Sequence, residues 1–157
     1  MHQTPSRPNP FDSLELGNQL CFAVYAADHA FTGAYKPLLD PLGLTYPQYL
    51  VLLVLWEEEG LRVKEIGQRL HLDSGTLTPV LKRLEKASFV RRRRDAQDER
   101  QVRVELTDKG RDTRTRALEV PHALICALGQ PEPELQALRR AVEQLYTALR
   151  SGAKNAA

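Results

Sequence analysis

Two cysteines, Cys21 and Cys126, are the side chains of this chain best suited to covalent chemistry. A thiolate is a nucleophile toward peroxides, and its oxidation gives a sulfenic acid that condenses with any thiol within reach. Two cysteines so far apart form neither a disulfide framework nor a zinc-ribbon spacing. Each is therefore interpreted either as a small core residue or as a redox-active thiol.

Metal binding is a further alternative for one of these cysteines. His122 lies one helical turn before Cys126, so the two side chains can be neighbouring ligands. The other histidines, His2, His29 and His71, offer no completion of such a site. We therefore expect neither a metal nor a cofactor, and we interpret His29 and His122 as polar residues on helix surfaces.

A second kind of chemistry, the recognition of phosphates and base edges, is concentrated in residues 73–110. Within it, residues 82–103 hold nine basic and four acidic side chains, a net charge of +5 in a chain whose total is +2. A solvated surface can have this composition. Here it coincides with the order helix, basic strand, charged turn and strand, which predicts a helix-turn-helix with a β-hairpin wing that binds DNA.

A helix in the major groove needs short polar side chains near its amino end and basic ones further along. The helix that follows Asp73 meets this requirement, although a surface helix with hydroxyls at its cap is the alternative interpretation. The candidate base and phosphate contacts in it are Ser74, Thr76, Thr78, Lys82 and Arg83.

The predicted wing can follow the DNA backbone and place an arginine in the minor groove. Successive strand residues point to opposite faces, so the four arginines of residues 91–94 cannot all touch DNA. We expect some of them to pair with Asp95, Asp98 or Glu99. The candidate DNA contacts of the wing are Arg93, Arg94, Asp98, Arg100 and Arg103.

Hydrophobic periodicity predicts a mainly α fold with a small β-hairpin. We expect a first helix from Asp12 to near Gly33, short helices at 36–42 and 64–70, and a buried central helix at 47–59. The recognition helix has Leu77, Leu81 and Leu84 as its inner stripe. Strands at 89–94 and 101–106 precede a long helix capped by Thr107, eased at Pro121, and a last helix from Pro131.

The last helix carries a heptad-like apolar seam, Leu135, Leu138, Val142, Leu145 and Leu149. Such a seam can fold back on the core of its own chain, but together with the first helix it favours pairing with a second copy of the chain. We expect a flexible arm at 1–11, dimerisation helices at 12–45 and 108–150, a winged helix-turn-helix lobe at 46–107 and a flexible tail at 151–157. The polar first ten residues do not resemble a signal peptide, and no apolar run is long enough to cross a membrane, which predicts a cytoplasmic protein.

The motif LKRLEKxxFVxR, then Asp95-x-x-Asp98-x-Arg100, then LTDKG ending at Gly110, resembles the winged-helix core of the MarR-type bacterial repressors. The resemblance implies a homodimer that binds a pseudo-palindromic operator in double-stranded DNA. Ser88 stands where that family usually has a glycine, and Ala96 where a proline is common. We expect Ser88 to adopt a left-handed helix cap.

The segments LCFAVYAADHAF, YKPLL and LTYPQY resemble a subgroup of that family, the organic hydroperoxide resistance regulators. The resemblance implies that Cys21 senses peroxide and that Tyr35 and Tyr46 hydrogen-bond to it. It also implies that Cys126 resolves the oxidised thiol by an intersubunit disulfide. The chain is then a repressor and not an enzyme, released from DNA when an organic hydroperoxide oxidises Cys21.

Two alternatives remain open. A repressor of this type can instead be released by a small phenolic ligand, in a cleft lined by Tyr35, Tyr46 and Trp56. A thiol peroxidase would use the same Cys21 but would leave the basic wing unexplained.

Overall fold

The computed structural model describes residues 11–96, 98 and 100–155, with side chains to residue 152. The chain divides into two compact units, Met1–Arg114 and Thr115–Ala157. The described residues form seven helices and three strands: α1 Leu20–Leu39, α2 Tyr46–Glu57, β1 Leu61–Arg62, α3 Val63–Leu70, α4 Ser74–Lys86, β2 Val90–Arg94, β3 Val102–Leu106, α5 Asp108–Arg116, α6 Glu119–Leu128 and α7 Glu132–Asn155. The mainly α fold with a small β-hairpin is confirmed.

The first helix differs from the prediction at both ends. Two 3-10 turns occupy Asp12–Leu14 and Leu16–Asn18, and α1 begins only at Leu20. The Asn18 side chain donates to the Asp12 carbonyl at 2.7 Å, a local hydrogen bond that competes with helix formation. At the other end α1 continues through Gly33 and Pro37 to Leu39, so the two helices expected there are one.

The central helix is buried, as predicted. Val51, Leu52 and Leu55 in α2 are fully buried. The helix begins at a capping box, in which the Gln48 side chain accepts a hydrogen bond from the Thr45 backbone N–H at 2.8 Å. This helix forms the base on which the helix-turn-helix is built.

The helix-turn-helix consists of α3 and α4. Asp73 caps α4 by accepting from the Thr76 backbone N–H at 2.9 Å, and the predicted stripe Leu77, Leu81 and Leu84 is buried. After α4, Ser88 has φ of 61°, which confirms the expected left-handed cap. A glycine would adopt that conformation without the clash that a Cβ brings.

The hairpin is confirmed, and it belongs to a three-stranded antiparallel sheet of order β1-β3-β2. Val90 pairs with Leu106 and Arg94 with Val102, while β1 adds the pair Leu61 and Val104. The sequence predicted only the two strands of the hairpin. Strand β1 pairs with β3 and so connects the hairpin to the loop that follows α2.

Gly110 explains why the LTDKG motif ends in glycine. A Cβ at this position would lie 2.2 Å from the carbonyl oxygen of Phe89, so no other residue fits. Thr107 caps α5, as predicted, because its hydroxyl oxygen accepts from the Gly110 backbone N–H at 3.1 Å. The same hydroxyl donates to the Ser88 carbonyl at 2.6 Å, which joins α5 to the end of the recognition helix.

The long helix expected after Thr107 is divided into α5 and α6. The break falls at residues 117 and 118, just before Pro121. Proline has no backbone N–H, so it cannot donate the helical hydrogen bond to the carbonyl of residue 117. The last helix, α7, extends to Asn155, so residues 151–155 of the predicted tail are helical. The predicted arm, apart from Phe11, and residues 156 and 157 lie outside the described residues.

Across the described residues, no single helix is long and apolar enough to cross a membrane. The only combination that passes by length and composition is a pair bent by 68°, Leu20–Leu42 with Tyr46–Glu57.

Candidate DNA-binding surface and thiol site

The face of α4 opposite its buried stripe carries the predicted DNA contacts. Ser74, Thr76, Lys82 and Arg83 are exposed, and Thr78 is half-buried. The Thr76 hydroxyl donates to Asp73 at 2.8 Å, and the Thr78 hydroxyl donates to the Ser74 carbonyl at 2.6 Å. Both hydroxyl oxygens keep lone pairs that can accept from a base edge.

The charge of the helix cap is held in place by the same contacts. Hydrogen bonds from the backbone N–H and then the hydroxyl of Thr76 lower the pKa of Asp73. Asp73 therefore caps α4 in its ionised form at neutral pH.

A groove of about 700 Å³ lies between α3, α4 and the hairpin. Its lining includes Ser74 and Thr78 and has a net positive charge, since four basic residues outnumber the one acidic residue, Glu65. The basic residues are Arg62, Lys64, Arg92 and Arg100. We did not predict Lys64 and Gln68 from the sequence. Both residues lie off the inward-facing side of α3, and this was the only signal in the sequence. It indicates a groove only once the fold is known.

Arg92 and Arg93 pair with Glu85 and Glu105, which were not among the predicted partners, and the predicted partner Glu99 lies outside the described residues. Arg92 binds Glu85, with its Nε 2.7 Å from Oε2, and this contact lowers the pKa of Glu85. The Nε of Arg93 lies 3.5 Å from Glu105, which is diagonal to it on β3, because the residue directly opposite Arg93 is Arg103. Among the described residues, no ion pair or hydrogen bond engages the guanidinium groups of Arg91, Arg94 and Arg100.

Asp95 anchors the base of the wing. Its carboxylate is 2% exposed and lies 2.6 Å from the Nε of Arg103 and 3.2 Å from the Nε of Arg62. Arg103 also donates to the Gly60 carbonyl at 2.7 Å. These two partners of Asp95 come from β1 and β3, and β1 brings Arg62 beside the wing.

Two of the predicted DNA-binding residues, Arg103 and Asp98, make hydrogen bonds that stabilise the hairpin itself. The guanidinium of Arg103 is engaged by Asp95 and Gly60. The Asp98 carboxylate accepts from the Arg100 backbone N–H at 3.1 Å and from the Gln101 side chain at 2.9 Å, which shapes the turn. Within the described part of the hairpin, Arg94 and Arg100 are the wing candidates whose guanidinium groups make no ion pair or hydrogen bond.

The two predicted sensor tyrosines lie against each other. The ring centroids of Tyr35 and Tyr46 are 4.5 Å apart, and Tyr49 lies 6.0 Å from Tyr35. Burial, with a smaller contribution from Tyr46 and Tyr49, raises the pKa of Tyr35 to about 12. Burial also raises the pKa of Tyr46. Both phenols therefore keep their protons at neutral pH and can donate a hydrogen bond.

Cys21 lies far from this tyrosine pair in its own chain. Both residues of interest, Cys21 and Tyr35, belong to the continuous helix α1. About four helical turns separate them, which at 1.5 Å per residue is roughly 21 Å. A hydrogen bond between this thiol and these phenols cannot form within one subunit.

Both cysteines are exposed free thiols. The Sγ atom of Cys126 lies 3.4 Å from Nδ1 of His122. Within the described part of the chain, no group of three or more His, Cys, Asp or Glu side chains could hold a metal ion.

Trp56, a predicted lining residue of the alternative ligand cleft, is engaged elsewhere. Its indole N–H donates to the Gly110 carbonyl at 2.9 Å, and its ring meets the ring of Tyr49 edge-on. Its one polar atom therefore serves the junction of α2 and α5.

The capped recognition helix, the three-stranded wing and the basic groove define a winged-helix DNA-binding protein. The chain belongs to the SarA/Rot family of transcriptional regulators, a MarR-type winged-helix family, whose model matches residues 34–116. It is 48% identical over 141 residues to the organic hydroperoxide resistance transcriptional regulator of Bacillus subtilis, covering 90% of this chain and 94% of that protein.

Two other relatives extend the comparison. The regulator TtmR of Methylorubrum extorquens is 61% identical over 127 residues, 81% of this chain and 65% of the length of TtmR. Reduced AbfR bound to DNA superposes with a TM-score of 0.74 at 39% identity, covering 88% of this chain and 96% of AbfR. Disulfide-formed AbfR superposes with a TM-score of 0.59 at 39% identity, covering 89% and 93%.

The different engagement of Arg94 and Arg103 predicts a division of roles. Arg94→Ala should remove one phosphate contact and reduce the salt dependence of DNA binding by about 0.9 in log K against log salt. Its unfolding free energy should be unchanged.

Arg103→Ala should lower the unfolding free energy by roughly 2 kcal/mol. This loss is smaller than the roughly 3–5 kcal/mol for breaking a fully buried pair, because Arg62 remains beside Asp95. Fluorescence anisotropy with a random-sequence duplex and urea denaturation measure the two effects.

Each variant is the control for the other. An Arg103→Ala protein of normal stability with a reduced salt dependence would place Arg103 on the DNA and contradict its structural role.

Proposed function

We propose that this protein is a redox-sensing transcriptional repressor. In the cytoplasm its reduced homodimer binds a pseudo-palindromic operator, and an organic hydroperoxide releases it by oxidising Cys21. The observation that carries the proposal is the exposed thiol of Cys21 on α1, a helix with an exposed apolar surface and a pair of protonated phenols at its far end. The 48% identity to a hydroperoxide resistance regulator supports the same function.

Apolar side chains exposed on two helices support the homodimer. Helix α1 exposes Leu20, Phe22 and Val24, and α7 exposes the predicted seam residues Leu138, Val142 and Leu149. Exposed apolar surface of this extent is typical of an interface. Pairing two chains through these helices removes it from water, at about 25 cal/mol for each Å² buried.

In a dimer, the Cys21 thiol of one subunit can meet the phenols of the other subunit. Since Cys21 cannot reach Tyr35 and Tyr46 of its own subunit, the proposed hydrogen bonds come from the tyrosine pair of the second subunit. Neutral phenols donate to a sulfur anion and stabilise it, and apolar neighbours such as Phe22 favour an organic over a hydrophilic peroxide. Each sensor site is then assembled from both chains.

The proposed reaction at Cys21 is a two-electron oxidation of its sulfur by the hydroperoxide. The Cys21 thiolate attacks the terminal oxygen of the hydroperoxide, the O–O bond breaks, and the alkoxide takes up a proton to leave as an alcohol. Sulfur loses two electrons and becomes a sulfenic acid. Condensation with Cys126 of the second subunit then gives a disulfide and water.

The disulfide acts as a switch on the DNA-binding surface. A covalent link between the subunits moves the two recognition helices out of the spacing that fits successive major grooves. The relative AbfR has structures in reduced, overoxidised and disulfide-formed states, which supports such a cycle.

The sensor role of Cys21 predicts a specific loss of response. An operator can be obtained by selecting random duplexes with the reduced protein. Cys21→Ser should bind that operator as tightly as the wild type but stay bound when cumene hydroperoxide is added, because serine cannot form a sulfenic acid. Release of Cys21→Ser at the wild-type peroxide concentration would refute the sensor assignment.

Cys126→Ser provides the comparison for this experiment. It should still be oxidised at Cys21 but should lose the peroxide-induced, reductant-sensitive dimer seen on denaturing gels. If the dimer persists in Cys126→Ser, Cys126 is not the resolving thiol.

A heterodimer experiment tests whether the phenols act on the thiol of the other subunit. One heterodimer joins a Cys21→Ser chain to a Tyr35→Phe, Tyr46→Phe chain, so its one remaining Cys21 faces intact tyrosines across the interface. The matched heterodimer joins a wild-type Cys21 chain to a chain with all three substitutions, so its thiol faces phenylalanines. Stopped-flow oxidation should be at least roughly tenfold faster in the first, since each hydrogen bond to a charged group contributes about 1.5–3 kcal/mol. The reverse order would show that the tyrosines act within one chain.

A further inference from the structure

A histidine sits beside the proposed resolving cysteine. His122 and Cys126 occupy positions i and i+4 on α6, and Nδ1 of the imidazole lies 3.4 Å from the Sγ atom. Side chains at this spacing are neighbours on a helix surface. Both side chains are exposed, so water and an incoming partner can reach them.

We propose that His122 is the base for disulfide formation, taking the proton from the Cys126 thiol as its sulfur attacks oxidised Cys21. This inference rests on the proposed redox function and deepens it, because it assigns a residue to the second step of the sensing reaction. The imidazole touches the reacting thiol directly, so its role is catalytic within that step.

The chemistry of the condensation requires a proton acceptor at this sulfur. The thiolate, and not the thiol, is the nucleophile in sulfur exchange. Histidine is the side chain that exchanges protons near neutral pH. The other positions one turn from Cys126 on this part of the chain are occupied by Ala123, Gly129 and Gln130, none of which can take a proton.

The step balances without a further oxidant. The Cys126 proton moves to Nδ1 of His122, the sulfur electron pair forms a bond to Sγ of Cys21, and the S–O bond of the sulfenic acid breaks. The departing hydroxide takes the proton from the imidazolium and leaves as water. The organic hydroperoxide has already accepted the two electrons in the first step.

A fast second step has a functional consequence. The sulfenic acid on Cys21 can react with a second hydroperoxide to give a sulfinic acid, which is not readily reversed. By accelerating the condensation, His122 shifts the outcome from overoxidation toward the reversible disulfide.

The two steps can be timed separately in the His122→Ala variant. Sulfenic acid on Cys21 is trapped with dimedone, and the disulfide is quantified by mass spectrometry after alkylation, following one equivalent of cumene hydroperoxide. His122→Ala should form the sulfenic acid at the wild-type rate but the disulfide at least roughly tenfold more slowly, the low end of general-base effects. Imidazole added to the buffer should restore the rate, because the site is exposed.

The control is His29→Ala, which removes another exposed histidine and should change neither step. Wild-type disulfide formation in His122→Ala, or a slow rate that imidazole does not restore, would overturn the role of His122 while leaving the sensor role of Cys21 intact. Absence of dimedone trapping at Cys21 in the wild-type protein would instead overturn the proposed function, and this inference with it.

Discussion

The length of one unbroken helix is the constraint on which this account depends. Because α1 runs from Leu20 to Leu39, it holds the thiol of Cys21 and the phenol of Tyr35 at opposite ends, roughly 21 Å apart at 1.5 Å per residue. A shorter helix ending at Gly33 would leave the tyrosine free to fold back toward the thiol. Because the helix is continuous, a site that joins the thiol to the phenols requires a second chain. In the proposed mechanism, peroxide sensing therefore depends on dimerisation.

The DNA-binding side depends on a different kind of interaction, the buried carboxylate of Asp95. Two guanidinium groups compensate its charge, and Arg103 ties it further to the Gly60 carbonyl. A buried charge that loses its partners is costly, so the wing base is fixed as a unit. That arrangement uses some arginines for the frame and leaves Arg94 and Arg100 at the surface. The net basic charge of the segment therefore overstates how many side chains are available to phosphates.

The sequence predicted the features that local patterns determine. The stripe of Leu77, Leu81 and Leu84, the cap at Thr107 and the paired strands follow from periodicity and turn chemistry, and the structure confirms them. The left-handed Ser88 could be expected because the motif needs that backbone whatever residue occupies it.

The errors arose where distant parts of the chain decide the outcome. Gly33 and Pro37 are ordinary stop signals, yet α1 continues through both. The partners of Asp95 could not be chosen from its neighbours in sequence, since β1 supplies Arg62 from more than thirty residues away. The one-turn spacing of His122 and Cys126 was visible in the sequence, but the contact between the imidazole and the sulfur requires the structure.

The most direct test of the central claim is the distance between the two recognition helices of the dimer in its two redox states. A genetically encoded spin label at exposed Lys86, in the last turn of α4, leaves both cysteines free for oxidation. The account predicts that the reduced dimer holds the helix centres about one turn of B-DNA apart, roughly 34 Å. After one equivalent of organic hydroperoxide the label distance should move outside the reduced distribution. Identical distributions in the reduced and disulfide-linked protein would contradict the account.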